Sequence, residues 1–198
     1  MAHHTLTSPF SEQAIRALRI RDTVTIDGHI YGIRDATQIR IFDEQQEPPV
    51  DLNGAACIHT APSLKKVGNK WKKVCIGTTT STRMERFSPL LIQRYGVRII
   101  IGKAGLLEKS LEAMKNFGAC YLAIVGGAAA LETAQIEEVE EVFWEDLHPE
   151  AIYKLRVKDF GPLIVAMDAH GNHLYFEVKK RATERLEAIY SQIGVDRV

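Results

Sequence analysis

Gly96-Val97-Arg98-Ile99-Ile100-Ile101-Gly102-Lys103-Ala104-Gly105 decides the fold, together with its echo, Gly118-Ala119-Cys120-Tyr121-Leu122-Ala123-Ile124-Val125-Gly126-Gly127. Each run is a glycine, a short apolar segment of strand length, and a glycine turn. A helical pattern ending at Phe117 lies between them, and another, from about Arg83 to Tyr95, precedes the first. Strand, glycine turn, helix, strand, glycine turn is the pattern of an α/β unit with a parallel core of buried strands. Gly96 and Gly118 stand where helices end.

Upstream, Ser8-Pro9 before Ala14, Ile15 and Leu18 predicts a capped helix with proline at its first position. Asp22 to Gly28 alternates and is β-branched, which predicts a strand ending in a turn, with His29 to Ile33 as a second strand. Arg34-Asp35 opens a short helical stretch running towards Glu47, stopped by Pro48-Pro49. Ala55 to His59 reads as a short apolar strand, and Gly68-Asn69 as the tip of a hairpin within Lys66 to Lys73. Downstream, Val139 to Trp144 reads as a strand. Leu163 to Met167 and His173 to Phe176 flank Asp168-Ala169-His170-Gly171-Asn172 as a hairpin, and Glu177 to Ile193 closes as a helix. No linker or repeat divides these elements. The expectation is one domain over residues 1–198, of α/β class, with a β-rich first third.

The chain has 198 residues, 45% hydrophobic and 25% charged, which suits a folded domain. Lys plus Arg and Asp plus Glu number 25 each, so a nucleic-acid partner is not expected. No apolar run reaches the ~20 residues needed to span a bilayer, and the first residues lack a secretory pattern. Cys57, Cys75 and Cys120 form no CxxC, so neither a disulfide framework nor a metal site on this chain is expected. Buried thiols in a reducing cytoplasm are the simple reading.

Several segments can carry chemistry. Gly77-Thr78-Thr79-Thr80-Ser81-Thr82-Arg83 places a run of hydroxyls at a strand-to-helix junction, where free backbone N–H groups favour a carboxylate or phosphate. On pattern alone, simple N-capping by Ser or Thr is slightly the commoner reading, and five consecutive hydroxyls, more than a cap needs, motivate reading the run as a site. Arg83 suits a fork onto a carboxylate. Lys103 lies between glycines at the carboxyl end of a buried strand, where α/β sheets bind ligands, although the P-loop spacing is absent and a solvated lysine in a tight turn is an equal reading. Gly126-Gly127-Ala128-Ala129-Ala130 allows close approach of a ligand or tight helix packing. Arg34-Asp35 reads as an anion site or an ordinary ion pair. Asp168 and His170 read as an acid–base pair or, more simply, as turn chemistry. No nucleophile–base set is visible. The sum fits half of a composite site for a small polyanion.

Arg34-Asp35-Ala36, Asp51-Leu52-Asn53-Gly54, Gly77 to Met84, Gly102-Lys103-Ala104-Gly105, Gly127 to Leu131 and Asp168 to Asn172 occur in the order found in a known family. The chain resembles the β subunit, or C-terminal domain, of iron–sulfur hydro-lyases, class I fumarase and L-tartrate dehydratase, from about Thr5 to Ile193. Val157 to Val165 resembles the tartrate dehydratase form slightly more. The resemblance implies a swivelling β/β/α domain and a hydro-lyase acting on a C4 dicarboxylate, fumarate/malate first and L-tartrate as the alternative. A non-catalytic anion-binding assembly module of the same fold is the other alternative. It also implies a partner α subunit carrying a [4Fe-4S] cluster on three cysteines, with one iron open to the substrate, in a hetero- or homo-oligomer. By the same resemblance Thr79 takes the place of the proton-abstracting hydroxyl, Lys103 lines the cavity, and Arg34 and Arg83 bind substrate carboxylates. Thr80 and Gln38 complete the expected substrate-binding set. Three positions depart from the family pattern: Gln38 and Ile39 replace a histidine and a basic residue, Thr78 replaces a proline, and Thr60-Ala61-Pro62 lacks the usual glycine. Gln38 keeps hydrogen bonding but does not titrate.

Overall fold

Two four-residue strands carry the centre of the sheet, Ile99–Gly102 and Cys120–Ala123, paired in parallel with Ile100 beside Tyr121 and Ile101 beside Leu122. The computed structural model describes residues 1–124 and 129–193. In chain order the elements are β1 (His3–Thr7), α1 (Glu12–Ala17), β2 (Thr23–Ile33), α2 (Asp35–Phe42), β3 (Ala56–His59), β4 (Ser63–Val67), β5 (Lys70–Cys75) and a 3-10 turn at Ser81–Met84. After that turn come α3 (Ser88–Tyr95), β6 (Ile99–Gly102), α4 (Glu108–Phe117), β7 (Cys120–Ala123), α5 (Ala129–Glu132), β8 (Ile136–Phe143), β9 (Ile152–Met167) and α6 (Leu174–Ile193).

The main sheet runs β1-β2-β3-β6-β7-β9-β8, and β9 also pairs with β2. The first four pairings are parallel, while β9 is antiparallel to β2, β7 and β8. β1 and β3 occupy successive parts of one edge of β2. β8 and β7 do the same on β9. The circuit β2-β3-β6-β7-β9 therefore closes on itself, which removes the open edges of its central strands. Both faces of these strands are covered. Ile58, Ile99, Ile101, Leu122, Leu155 and Leu163 share one apolar cluster. Their alternating neighbours Cys57, Ile100 and Tyr121 share a second with Leu91 and Ile92 of α3 and Met114 of α4. This is why the strands read as unbroken apolar runs.

The α/β class and the parallel core are as expected, and so are the β4–β5 hairpin and the left-handed C-caps at Gly96 and Gly118. Four readings are corrected. The first helix starts at Glu12 under the Ser11 hydroxyl, which accepts from the Ala14 N–H, so Ser8-Pro9 lies before it. Asp27-Gly28 is not a turn. β2 continues through it with a shift of register, Gly28 at φ +99°, and a Cβ there would meet Ser8 Oγ at 2.3 Å. The helix expected from Arg83 divides into the 3-10 turn and α3. His173 to Phe176 is no strand: only His173 bridges Met167, and Leu174 begins α6. Gly126-Gly127-Ala128 lies outside the described residues.

The fold places its polar residues by one device. β2, β3 and β6 are neighbours, and their carboxyl ends lie side by side, with Ile33 beside His59 and Ile58 beside Ile101. Arg34, Thr60 and Lys103 follow those ends or lie one step beyond them.

Candidate functional site

Arg34 is the residue before α2, and Asp35 is the first residue of that helix. Asp35 Oδ2 accepts from Arg34 Nε at 3.2 Å and from Arg83 Nη2 at 2.5 Å, so a single carboxylate oxygen holds two guanidiniums from distant segments. Burial pushes the Asp35 carboxyl up, but the hydrogen bond and charge of Arg83, with the charge of Arg34, outweigh it and hold it below its ordinary value. Glu150 supports the corner. Its Oε1 stands 3.5 Å from Arg34 Nε, its Oε2 accepts the Ala36 N–H at 2.7 Å, and its carbonyl accepts the Thr37 hydroxyl. No side chain caps α2 from its own N-cap position, so Glu150 supplies the acceptor and the negative charge that a helix start favours.

The hydroxyl segment is stretched between the ends of β3 and β6. Thr60 Oγ1 donates to the Gly77 carbonyl, Thr60 and Thr78 form a bridge, and the Thr79 N–H donates to the His59 carbonyl at 3.0 Å. Thr80 bridges Lys103, and the Ser81 N–H donates to the Lys103 carbonyl at 3.0 Å. Thr82 Oγ1 donates to the Gly105 carbonyl at 3.1 Å. Simple capping does not explain the hydroxyls: Thr80 occupies the N-cap of the 3-10 turn, yet its side chain makes no cap bond.

Among the described residues, the side chains of Thr79, Thr80 and Lys103 make no hydrogen bond or ion pair. Nη1 and Nη2 of Arg34 and Nη1 and Nε of Arg83 are also unbonded. Thr79, Thr80 and Lys103 are half-buried, and Arg83 is 50% exposed. The structure thus ties Arg34 to Arg83 through Asp35, and Thr80 to Lys103 through the backbone, leaving donors and hydroxyls unspent. Gln38 is buried one turn into α2. Its Nε2 donates to the Arg34 carbonyl at 3.3 Å and its Oε1 has no partner. A hollow of about 370 Å³ beside Arg83 extends over Thr82, Glu85, Arg86, Leu107 and Lys109 and takes in neither Thr79 nor Lys103.

Asp168 and His170 do not form an acid–base pair. The Asp168 carboxylate is consumed by the turn, accepting from the backbone N–H groups of Ile20, His170 and Asn172 and from the Asn172 amide. The His170 ring turns away, to the Arg16 carbonyl at 2.8 Å.

Cys57 and Cys120 are buried, and burial pushes both thiols up, that of Cys57 to about 12, while Cys75 is half-buried. Among the described residues, no three of His, Cys, Asp and Glu stand together as metal ligands, and no helix is long and apolar enough to cross a membrane.

Sequence reasoning missed Glu150 and three buried residues behind the hydroxyl segment: His59, Ser81 as a bonded group, and Tyr121. A histidine and a tyrosine inside otherwise apolar strands were the available signal.

The sequence profile described as "Fumarase C-terminus" matches residues 2–178. The chain is 39% identical over 189 residues to "L(+)-tartrate dehydratase subunit beta" of Escherichia coli (strain K12), covering 95% of this chain and 94% of that one. It is 38% identical over 189 residues to the protein of the same name from Shigella boydii serotype 4, with the same coverage. It is also 41% identical over 184 residues to "Putative fumarate hydratase class I" of Geobacillus stearothermophilus, covering 92% of this chain and 35% of that protein. With its matched residues running through both the Arg34–Asp35 corner and the hydroxyl segment, the chain belongs to the fumarase C-terminus family.

Proposed function

We propose that the chain is the β subunit of an iron–sulfur hydro-lyase that adds or removes water on a C4 dicarboxylate, with residues 1–198 acting as one swivelling β/β/α unit. One observation carries the reading. Two guanidiniums meet on Asp35 with free N–H edges, next to a segment whose Thr79 and Thr80 hydroxyls and neighbouring Lys103 amine are unspent. Charges and hydroxyls left unpaired in a folded protein are available to a ligand, and this set matches a dianion.

Dehydration of a 2-hydroxy diacid breaks a C–H bond alpha to one carboxylate. Its electron pair becomes the new C=C bond as the C–O bond breaks and water is lost. Negative charge grows on the carboxylate next to the broken C–H bond. The free edges of Arg83 and Arg34 stabilise that charge, and their positions are set beforehand by Asp35 and Glu150. The Thr79 side chain takes the proton as its alkoxide, the form that the Lys103 ammonium favours, and the proton then passes to the departing hydroxide, which leaves as water. Gln38 presents a buried amide beside Arg34 and fixes orientation without carrying charge. Activation of the leaving hydroxyl belongs to a [4Fe-4S] centre on the partner subunit in this reading.

Fumarate and malate are the first substrate pair. L-Tartrate is the second reading, favoured by relatives of that name that match this chain along nearly their whole length. The test is co-expression with the cluster-bearing partner and assay of fumarate hydration and L-tartrate dehydration. Turnover of either, lost in Arg83→Ala, is the expected result. A reconstituted complex that turns over no C4 diacid overturns the proposal in favour of a non-catalytic anion-binding module.

A further inference from the structure

Behind the hydroxyl segment lies a chain of buried polar groups that the proposed reaction does not use. The Gly105 N–H donates to the Tyr121 hydroxyl at 3.3 Å. That hydroxyl donates to Ser81 Oγ at 2.9 Å, and Ser81 Oγ lies 2.9 Å from His59 Nδ1. Ser81, Tyr121 and His59 are each fully buried. Tyr121 has one proton, and Ser81 Oγ is its acceptor, while His59 Nδ1 and Ser81 Oγ share the next hydrogen bond. Nε2 has no partner among the described residues.

An imidazole buried completely for a single hydrogen bond is a poor way to fill space. A leucine there would carry no desolvation cost. What the ring accomplishes is therefore in that bond. The same residue also acts through its backbone, since the His59 carbonyl accepts the Thr79 N–H. His59 thus grips the hydroxyl segment on both sides of Thr80, by its carbonyl at Thr79 and by its ring at Ser81. The fold makes room for this grip. A Cβ on Gly102 would stand 2.0 Å from Ser81 Oγ and 3.1 Å from the Tyr121 hydroxyl, so the glycine before Lys103 leaves space for the chain rather than for a ligand.

We propose that His59 is a positioning residue of the site: through the hydrogen bond between its ring and the Ser81 hydroxyl it holds the Thr79–Thr80 segment against Lys103 in the geometry that proton transfer requires. The proposal rests on the hydro-lyase reading. It extends that reading to a residue that touches no substrate.

The experiment uses the two-subunit complex with His59→Leu, His59→Asn, Ser81→Ala and the double variant His59→Leu/Ser81→Ala. Asparagine offers an amide group that can hydrogen-bond Ser81 Oγ from near the place of Nδ1, and leucine offers none. His59→Leu is expected to lower kcat about tenfold while KM stays within about twofold. His59→Asn restores most of the loss, and the double variant is no worse than Ser81→Ala, because both changes break one bond. Hydrogen exchange at the Thr79 and Ser81 amides is read in the same samples. It rises in His59→Leu and returns in His59→Asn. Wild-type kcat in His59→Leu, an asparagine variant as impaired as the leucine one, or unchanged exchange in all variants overturns the proposal. If the wild-type complex is inactive on C4 diacids, the hydro-lyase reading fails by itself, and the exchange data still decide whether His59 holds the segment.

Discussion

Asp35 and Arg83, 48 positions apart in sequence, meet at 2.5 Å, and the contact joins the start of α2 to the 3-10 turn that follows the hydroxyl segment. Arg83 spends one nitrogen on it and keeps a forked edge. Arg83→Ala is therefore expected to lower kcat/KM of the complex by about 10²–10³-fold, the range for losing a donor aimed at developing charge. Arg83→Lys recovers only part of it, since an ammonium cannot fork. Steady-state kinetics on both variants check this, and a near-wild-type Arg83→Ala removes the carboxylate role.

Thr79 is expected to act in the chemical step. Thr79→Ala should lower kcat by roughly 10²–10⁴-fold with little change in KM, the signature of lost proton transfer. Thr79→Ser keeps the hydroxyl and most of the rate. A Thr79→Ala variant that changes KM alone assigns the residue to binding instead.

His59 makes stability depend on pH. Burial pushes its ring down from 6.5 to about 4, although the Asp35 carboxylate pulls it back up. In the unfolded chain the ring takes a proton near its ordinary value. Between those two values the unfolded state therefore binds more protons. The stabilising contribution is whole above pH ~6.5 and is lost as the pH falls towards ~4, in total on the order of 3 kcal/mol. Denaturation midpoints of wild type and His59→Asn from pH 4 to 8 test it. The expected result is a slope in that window that is shallower in the variant, and identical slopes contradict it.

Glu150 holds α2 from outside the helix. Glu150→Ala removes the acceptor of the Ala36 N–H and a neighbour of Arg34. The expected cost is about 1 kcal/mol, or roughly 2–4 °C in Tm for a chain of this size. Calorimetry measures it directly.

Gly102→Ala is expected to destabilise by about 1–3 kcal/mol through overpacking against Ser81 Oγ. Adding Ser81→Ala removes the closest atom, so the double variant should be more stable than Gly102→Ala alone. Chemical denaturation of the two variants decides whether the clash is the cause.

Much of the molecule was legible where one physical rule dominates. The centre of the sheet could be read because both faces of β6 and β7 are buried, and α3 and α4 because Gly96 and Gly118 end them. β9 was largely missed, although Tyr153-Lys154-Leu155-Arg156-Val157-Lys158 alternates. Its charged side faces β8, where Lys154 and Arg156 pair with Glu140, Glu141, Glu137 and Glu138, and such pairs appear only once the two strands are adjacent. His173 to Phe176 reads as a hairpin arm after the Asp168 turn, but that turn pairs only His173 with Met167 and releases the chain into a helix at Leu174. At the site, Arg34, Asp35, Arg83 and Lys103 stood out because charge beside glycine or at a strand end is unusual. His59 and Tyr121 stayed hidden inside apolar strands, where one polar residue has no visible partner until Ser81 is brought to it.

The closure of the circuit by β9 also sets the order of events during synthesis. Thr23 cannot find Ile164, nor Tyr121 find Met167, until β9 itself has left the ribosome. The nascent segment before β9 must wait with β2 and β7 each exposing an unsatisfied edge, a state that is slow to resolve and prone to stick to its neighbours. Truncated products that stop before β9 should accordingly be insoluble, and an organism making this protein gains from producing β9 without delay.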